Sequence, residues 1–111
     1  MPSLNIYTNK ERAKSLKEYL PKLREFIAKE LSCRDRKIDS NEVSLRIIVP
    51  NGSLLIADTE LEIKAHKYPE RVQKQDKICL SIKDFVQRIC PKAGLTYVWL
   101  QLSELGHSTK A

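Results

Sequence analysis

At 111 residues the chain is long enough for one modest hydrophobic core. Hydrophobic residues make up 41% and charged residues 31%, the balance of a globular domain, and no apolar run reaches the length of a membrane span. The formal charge of +6 favours anionic partners. Nucleic acid is not the expected one, because the densest basic stretch, residues 34–37, is interrupted by Asp35, and no Lys/Arg-Gly-Phe-type motif is present. Cys33, Cys79 and Cys90 are too widely spaced for a disulfide framework or a CxxC metal site, and His66 and His107 have no ligand spacing, so no metal is expected. No basic–apolar–small leader opens the sequence, which makes the cytoplasm the expected location.

The first element is a strand. Leu4 and Ile6 alternate with Ser3, Asn5 and Tyr7, the period-2 pattern of a half-buried strand. Pro2 stands at its head, behind Met1. Removal of Met1 would turn the Pro2 nitrogen into a secondary amine, and a neutral amine at pH 7 is a usable general base. Residues 8–12 read as a polar loop, with Ser15 and Glu18 at capping-box spacing. Leu16, Leu20, Leu23, Ile27 and Leu31 form an apolar stripe at helical spacing. Pro21 interrupts that stripe and places the helix start near itself, since proline suits a first turn. A charged linker over residues 34–41 leads to a second strand over residues 43–49, stopped by Pro50-Asn51-Gly52. A helix between two strands predicts a parallel βαβ crossover.

The pattern then repeats. Residues 60–66 alternate as a strand, residues 68–71 read as a polar loop, and Ile78, Ile82, Phe85, Val86 and Ile89 make a second helical stripe closed by Pro91 and Gly94. Residues 95–102 are the last strand, followed by a polar tail. The halves match at a constant offset of 59 positions: Glu11-Arg12 falls on Glu70-Arg71, and Leu23-Arg24-Glu25-Phe26-Ile27 on Ile82-Lys83-Asp84-Phe85-Val86. The expected fold class is α/β (α+β), a single domain over residues 1–111. It is built from β-α-β units at about 2–50 and 57–103, giving a four-stranded mixed sheet with two helices on one face. Leu4, Ile6, Leu45, Ile47, Leu61, Ile63, Val98, Leu100 and Leu102 would face the helices. The other face would carry Asn5, Ser44, Arg46, Ile48, Glu62, Lys64, His66, Tyr97, Trp99 and Gln101, a mixed surface that predicts an oligomer built around it.

A proline-headed strand, two tandem β-α-β units and a basic balance resemble the tautomerase superfamily. This group includes 4-oxalocrotonate tautomerase, macrophage migration inhibitory factor and 5-carboxymethyl-2-hydroxymuconate isomerase. Leu20-Pro21-Lys22-Leu23, residues 61–86 and Ser103-Glu104-Leu105-Gly106-His107 look most similar to the isomerase branch, and the strand ending Val49-Pro50 to the migration inhibitory factor branch. The resemblance implies a cofactor-free tautomerase or isomerase with Pro2 as general base, acting on a small unsaturated 2-oxo carboxylate. It further implies a homotrimer with a site at each subunit boundary. Arg12 and Arg46 match the family's arginines and would clamp carboxylate and 2-oxo oxygens. Arg71 is the nearest match to the arginine that follows the third strand in the isomerase branch, with Lys64 and Lys67 as alternatives. Tyr97 lies where some members supply an aromatic to a neighbouring subunit, and Trp99 replaces a smaller polar residue. The same resemblance also admits a non-catalytic trimer that serves as a binding or structural module.

Overall fold

The computed structural model describes residues 2–52 and 54–104. Its strands are β1 (Ser3–Tyr7), β2 (Ser44–Ile48), β3 (Thr59–His66) and β4 (Thr96–Ser103). They form one sheet in the order β2-β1-β3-β4. β1 runs parallel to β2 and antiparallel to β3, and β3 runs parallel to β4. Each unit is therefore a parallel strand pair, and the two units join along β1 and β3. One end of the sheet gathers the start of β1 and β2 with the finish of β3 and β4; the other gathers the opposite ends.

Each crossover is a broken helix. In the first, α1 (Lys10–Lys17) precedes α2 (Leu20–Leu31); in the second, α3 (Pro69–Gln73) precedes α4 (Gln75–Ile89). The late helix start expected at Pro21 matches α2, where proline occupies the first turn. Two loop expectations are corrected. Residues 10–12 are the first turn of α1, whose N-cap is Asn9 rather than Ser15: Asn9 Oδ1 accepts from the Arg12 amide at 2.9 Å. Residues 69–71 belong to α3, so Arg12 and Arg71 both sit on helices.

The core lies between the helices and one sheet face. Leu4, Ile6, Leu61, Ile63, Val98 and Leu100 are buried there, with Leu23, Ile27 and Leu31 of α2 and Ile78, Ile82 and Val86 of α4; Leu45, Ile47 and Leu102 pack against the cluster. The expected helix-facing set is thus in place. Phe26 and Phe85, mates at the 59-residue offset, stack face to face with ring centroids 4.0 Å apart and planes within 9°. The repeat read in sequence is therefore a near-symmetric packing of α2 on α4, and the stack adds about 0.5–1.5 kcal/mol beyond its area.

The end of the sheet away from Pro2 closes on polar contacts. Thr8 and Thr59 share a buried hydroxyl contact at 3.0 Å, and Asp58 Oδ2 accepts from the Leu95 amide at 2.8 Å. Gly94 has φ 76° and ψ −157°, a region open essentially to glycine, and a Cβ there would meet Asp58 Oδ2 at 2.5 Å. Gly94→Ala is expected to cost about 1–3 kcal/mol, lowering Tm by roughly 5–15 °C in a thermal melt.

Candidate functional site

Pro2 is buried at the head of β1, where its carbonyl accepts from the Ser44 amide at 3.0 Å. The proline is thus tied into the ladder with β2. On the β3 side the polarity of the ladder can be read directly. Thr59 and Lys67 send their amides to β4, to Leu95 and Ser103 carbonyls at 3.1 and 3.0 Å. The even-numbered residues of β3 therefore turn their backbone groups towards β1. Ser3 lies opposite Lys64, so the His66 carbonyl faces the space just ahead of Pro2, one strand spacing (~5 Å) across.

Arg71 fills that corner. Its Nη1 donates to the His66 carbonyl at 2.8 Å and its Nε to the Leu31 carbonyl, at the end of α2, also at 2.8 Å. The guanidinium lies over the Tyr68 ring, 4.8 Å from its centroid, and Tyr68 meets His66 edge-on at 4.8 Å. Only 2% of Arg71 is exposed, and burial pushes its pKa below the usual arginine value. An arginine still keeps its charge at any physiological pH. Among the described residues, Arg71 Nη2 is a buried donor with no hydrogen-bond partner. The expected loop arginine is therefore a buried, rigidly held cation with one of its three nitrogens uncommitted among the described residues.

Other charges gather at the same end. Lys64 and Lys67 are exposed beside it, Arg36 pairs with Glu42, and His66 Nε2 stands 3.9 Å from Glu104 Oε2. Glu70 accepts from the Arg34 amide at 2.9 Å and from Lys74 Nζ at 3.1 Å; the amide bond first, and Lys74 next, hold its carboxyl below the usual range. Because the folded pKa is depressed, this contribution to the α2–α3 junction is present at neutral pH and lost as pH falls through that value.

Arg12 is at the other end of the sheet. Thr8 and Pro2 lie at opposite ends of β1, about 20 Å apart at ~3.3 Å per residue. Arg12 follows Thr8, with its Nη2 3.4 Å from Asp58 Oδ1. Together with Lys10 it lines a cleft of about 360 Å³ closed by Val49, Pro50 and Leu55. Arg46 lies opposite Asn5, on the sheet face away from the helices. There Arg46 Nη1 donates to Asn5 Oδ1 at 2.8 Å, Asn5 Nδ2 to Glu62 Oε1 at 3.0 Å, and Tyr7 OH to the same oxygen at 3.2 Å. Tyr97 and Trp99 sit on that face too, centroids 5.3 Å apart, with Tyr97 46% exposed. The single chain thus sets Arg71 against the end of β3 that runs past the head of β1, and Arg46 on Ser44, whose amide bonds the Pro2 carbonyl; it leaves Arg12 at the opposite end of the sheet and Tyr97 and Trp99 on the open face. Asn5, Tyr7 and Glu62 were not expected as members of the Arg46 cluster.

No protein-family model matches the sequence, and no curated protein does. Solved structures do match the fold. A wild-type fused 4-OT, a symmetric trimer, aligns with a TM-score of 0.62 at 12% identity, over 98% of this chain and 94% of that one. A macrophage migration inhibitory factor-like protein from Entamoeba histolytica aligns at 0.60 and 11%, over 96% and 95%. The chain has the tautomerase fold. A protein of unknown function from Vibrio cholerae shares it, with a TM-score of 0.66 at 15% identity over 97% of this chain and 84% of that one. In the tautomerase fold seen here the proline-headed strand, the two β-α-β units and the mixed sheet all stand as the resemblance implied. The segment Leu105-Gly106-His107 lies outside the described residues. Among the described residues no helix is long and apolar enough to cross a membrane, and no group of three or more His, Cys, Asp or Glu is placed to hold a metal ion.

Proposed function

We propose that the protein is a cofactor-free tautomerase or isomerase. Pro2, freed by removal of Met1, is its general base for enol–keto tautomerisation or double-bond migration in an unsaturated 2-oxo acid. The observation that carries this reading is Arg71. Two of its nitrogens are fixed to the Leu31 and His66 carbonyls, and among the described residues the third, Nη2, is buried and unpartnered. An unpaired buried donor on a cation is costly unless an anion takes it, and a substrate carboxylate next to Pro2 is the anion this chemistry supplies. Once the bond to Met1 is gone, the Pro2 lone pair points out of the head of the strand into the space that the His66 carbonyl faces.

Catalysis then divides among few groups. Neutral Pro2 accepts a proton from the dienol hydroxyl or the carbon acid and returns one at another carbon. Arg71 holds the carboxylate. Arg12, at the far end of β1 in its own chain, comes from a neighbouring copy in a homotrimer; with Arg46 it offers guanidinium forks that meet the 2-oxo and carboxylate oxygens and stabilise the developing enolate. Tyr97 and Trp99 bring an aromatic wall from the same boundary. Lys64 adds positive charge at the rim.

The test is the intact mass of the purified protein, a sedimentation measurement, and an assay with phenylpyruvate and 2-hydroxymuconate. The expected result is loss of one methionine, a trimer, and turnover that titrates on one group below ~8. A retained methionine, or a free Pro2 that turns over neither compound, overturns the enzymatic reading in favour of a non-catalytic binding module.

A further inference from the structure

Asn5 is the one residue that lies directly opposite both Arg46 on β2 and Glu62 on β3. The three side chains share the open face, so the strand register itself lines them up across the sheet. Asn5 Oδ1 takes Arg46 Nη1, and Asn5 Nδ2 is given to Glu62. That orientation of the amide is fixed by chemistry. A guanidinium only donates and an ionised carboxylate only accepts, so the flipped amide would set NH₂ against Arg46 and oxygen against Glu62. Ser44 Oγ accepts from Arg46 Nη2 at 3.0 Å. Two of the five N–H donors of Arg46 are thus committed to the sheet, and the rest remain for a ligand. Arg46 is exposed, and pinning an exposed arginine sacrifices rotamer freedom that a merely solvated one would keep. Tyr7 completes the anchor. Desolvation, and then the Glu62 charge, push its phenol pKa up, so it stays a donor to Glu62.

We infer that Asn5, itself held by Glu62, is a positioning residue that sets the plane of the Arg46 guanidinium for an anionic ligand. The inference rests on the proposed role of Arg46 in substrate binding. Arg46 touches the ligand; Asn5 and Glu62 act through it.

A double-mutant cycle tests this, with phenylpyruvate turnover as one readout. The other is calorimetric binding of phenylglyoxylate, a 2-oxo carboxylate with no enolisable carbon. Asn5→Leu is expected to raise KM and Kd about tenfold with kcat changed less than about threefold, and Arg46→Leu to do at least as much. The double variant is expected to be no worse than Arg46→Leu alone. Glu62→Leu should reproduce Asn5→Leu, and Glu62→Gln, whose amide oxygen still accepts, should recover most of that loss. A purely structural role would add the two losses instead. If Arg46→Leu is impaired while Asn5→Leu is silent or additive, the inference falls and the proposed function stands. If Arg46→Leu binds and turns over as wild type, or wild type binds no phenylglyoxylate, the role of Arg46 falls and the inference with it. Should Asn5→Leu fail to fold, the Glu62→Leu and Glu62→Gln pair, each set against Arg46→Leu, decides alone.

Discussion

Under the proposed function, Pro2→Ala is expected to lower kcat/KM for phenylpyruvate by about 10²–10⁴, the usual contribution of a positioned general base, with the oligomeric state and melting temperature little changed. The alanine variant still carries an amine, so an extension variant makes the sharper comparison. A chain that keeps an uncleaved residue ahead of Pro2 turns the nitrogen into an amide, which has no basicity, and should lose the whole effect. The pH profile carries the sign. The base works when neutral, so the rate rises with pH through the amine pKa and then levels off. An α-amine titrates near ~8, and Arg71, Lys64 and Lys67 at the head of β1 favour its neutral form, placing the midpoint lower. Raising the salt concentration screens the exposed lysines more than the buried arginine, so the midpoint should climb only part of the way back. A profile unchanged by the extension, or an activity indifferent to it, would assign the chemistry to another group.

The strands were legible because alternation survives in each of them: Leu4 with Ile6, Leu61 with Ile63, Val98 with Leu100, all buried on one face. The long helices were legible from their stripes, and the 59-residue offset foreshadowed the Phe26–Phe85 stack. The short helices were not. In α1 only Leu16 is buried, and its stripe continues into α2, so the six polar residues around Ala13 and Leu16 carried no stripe of their own. In α3 the one buried residue is Arg71, which no hydrophobicity pattern flags as core. The sequence did hold a signal for it, since Arg71 is the offset mate of Arg12, but the two mates have diverged: Arg12 faces Asp58 at the surface, and Arg71 turns inward. The Asn5–Glu62 contact was illegible for another reason. It depends on the antiparallel register between β1 and β3, which is set by how the two units dock and not by either strand.

Arg71→Ala is expected to destabilise the protein by about 3–5 kcal/mol, a large share of the roughly 5–15 kcal/mol that holds a domain together. The reason is what the guanidinium leaves behind. The Leu31 carbonyl loses its donor in a buried region, at about 1–3 kcal/mol for a buried group left unpaired, and the His66 carbonyl loses one of its contacts. Tyr68 loses the cation over its ring. Arg71→Lys is expected to cost less, about 1–2 kcal/mol, because an ammonium can reach one carbonyl but cannot span two and still present a third nitrogen. The pair of variants separates scaffold from site. Denaturant melts should rank wild type above lysine above alanine. Arg71→Lys, measured well below its midpoint where it is folded, should still show a KM for phenylpyruvate raised about tenfold, because the lost Nη2 is the donor assigned to the carboxylate. A lysine variant that is less stable yet keeps its KM would leave Arg71 as a strut between α2 and β3. The substrate's carboxylate would then fall to Arg46 and to Arg12 of a neighbouring copy.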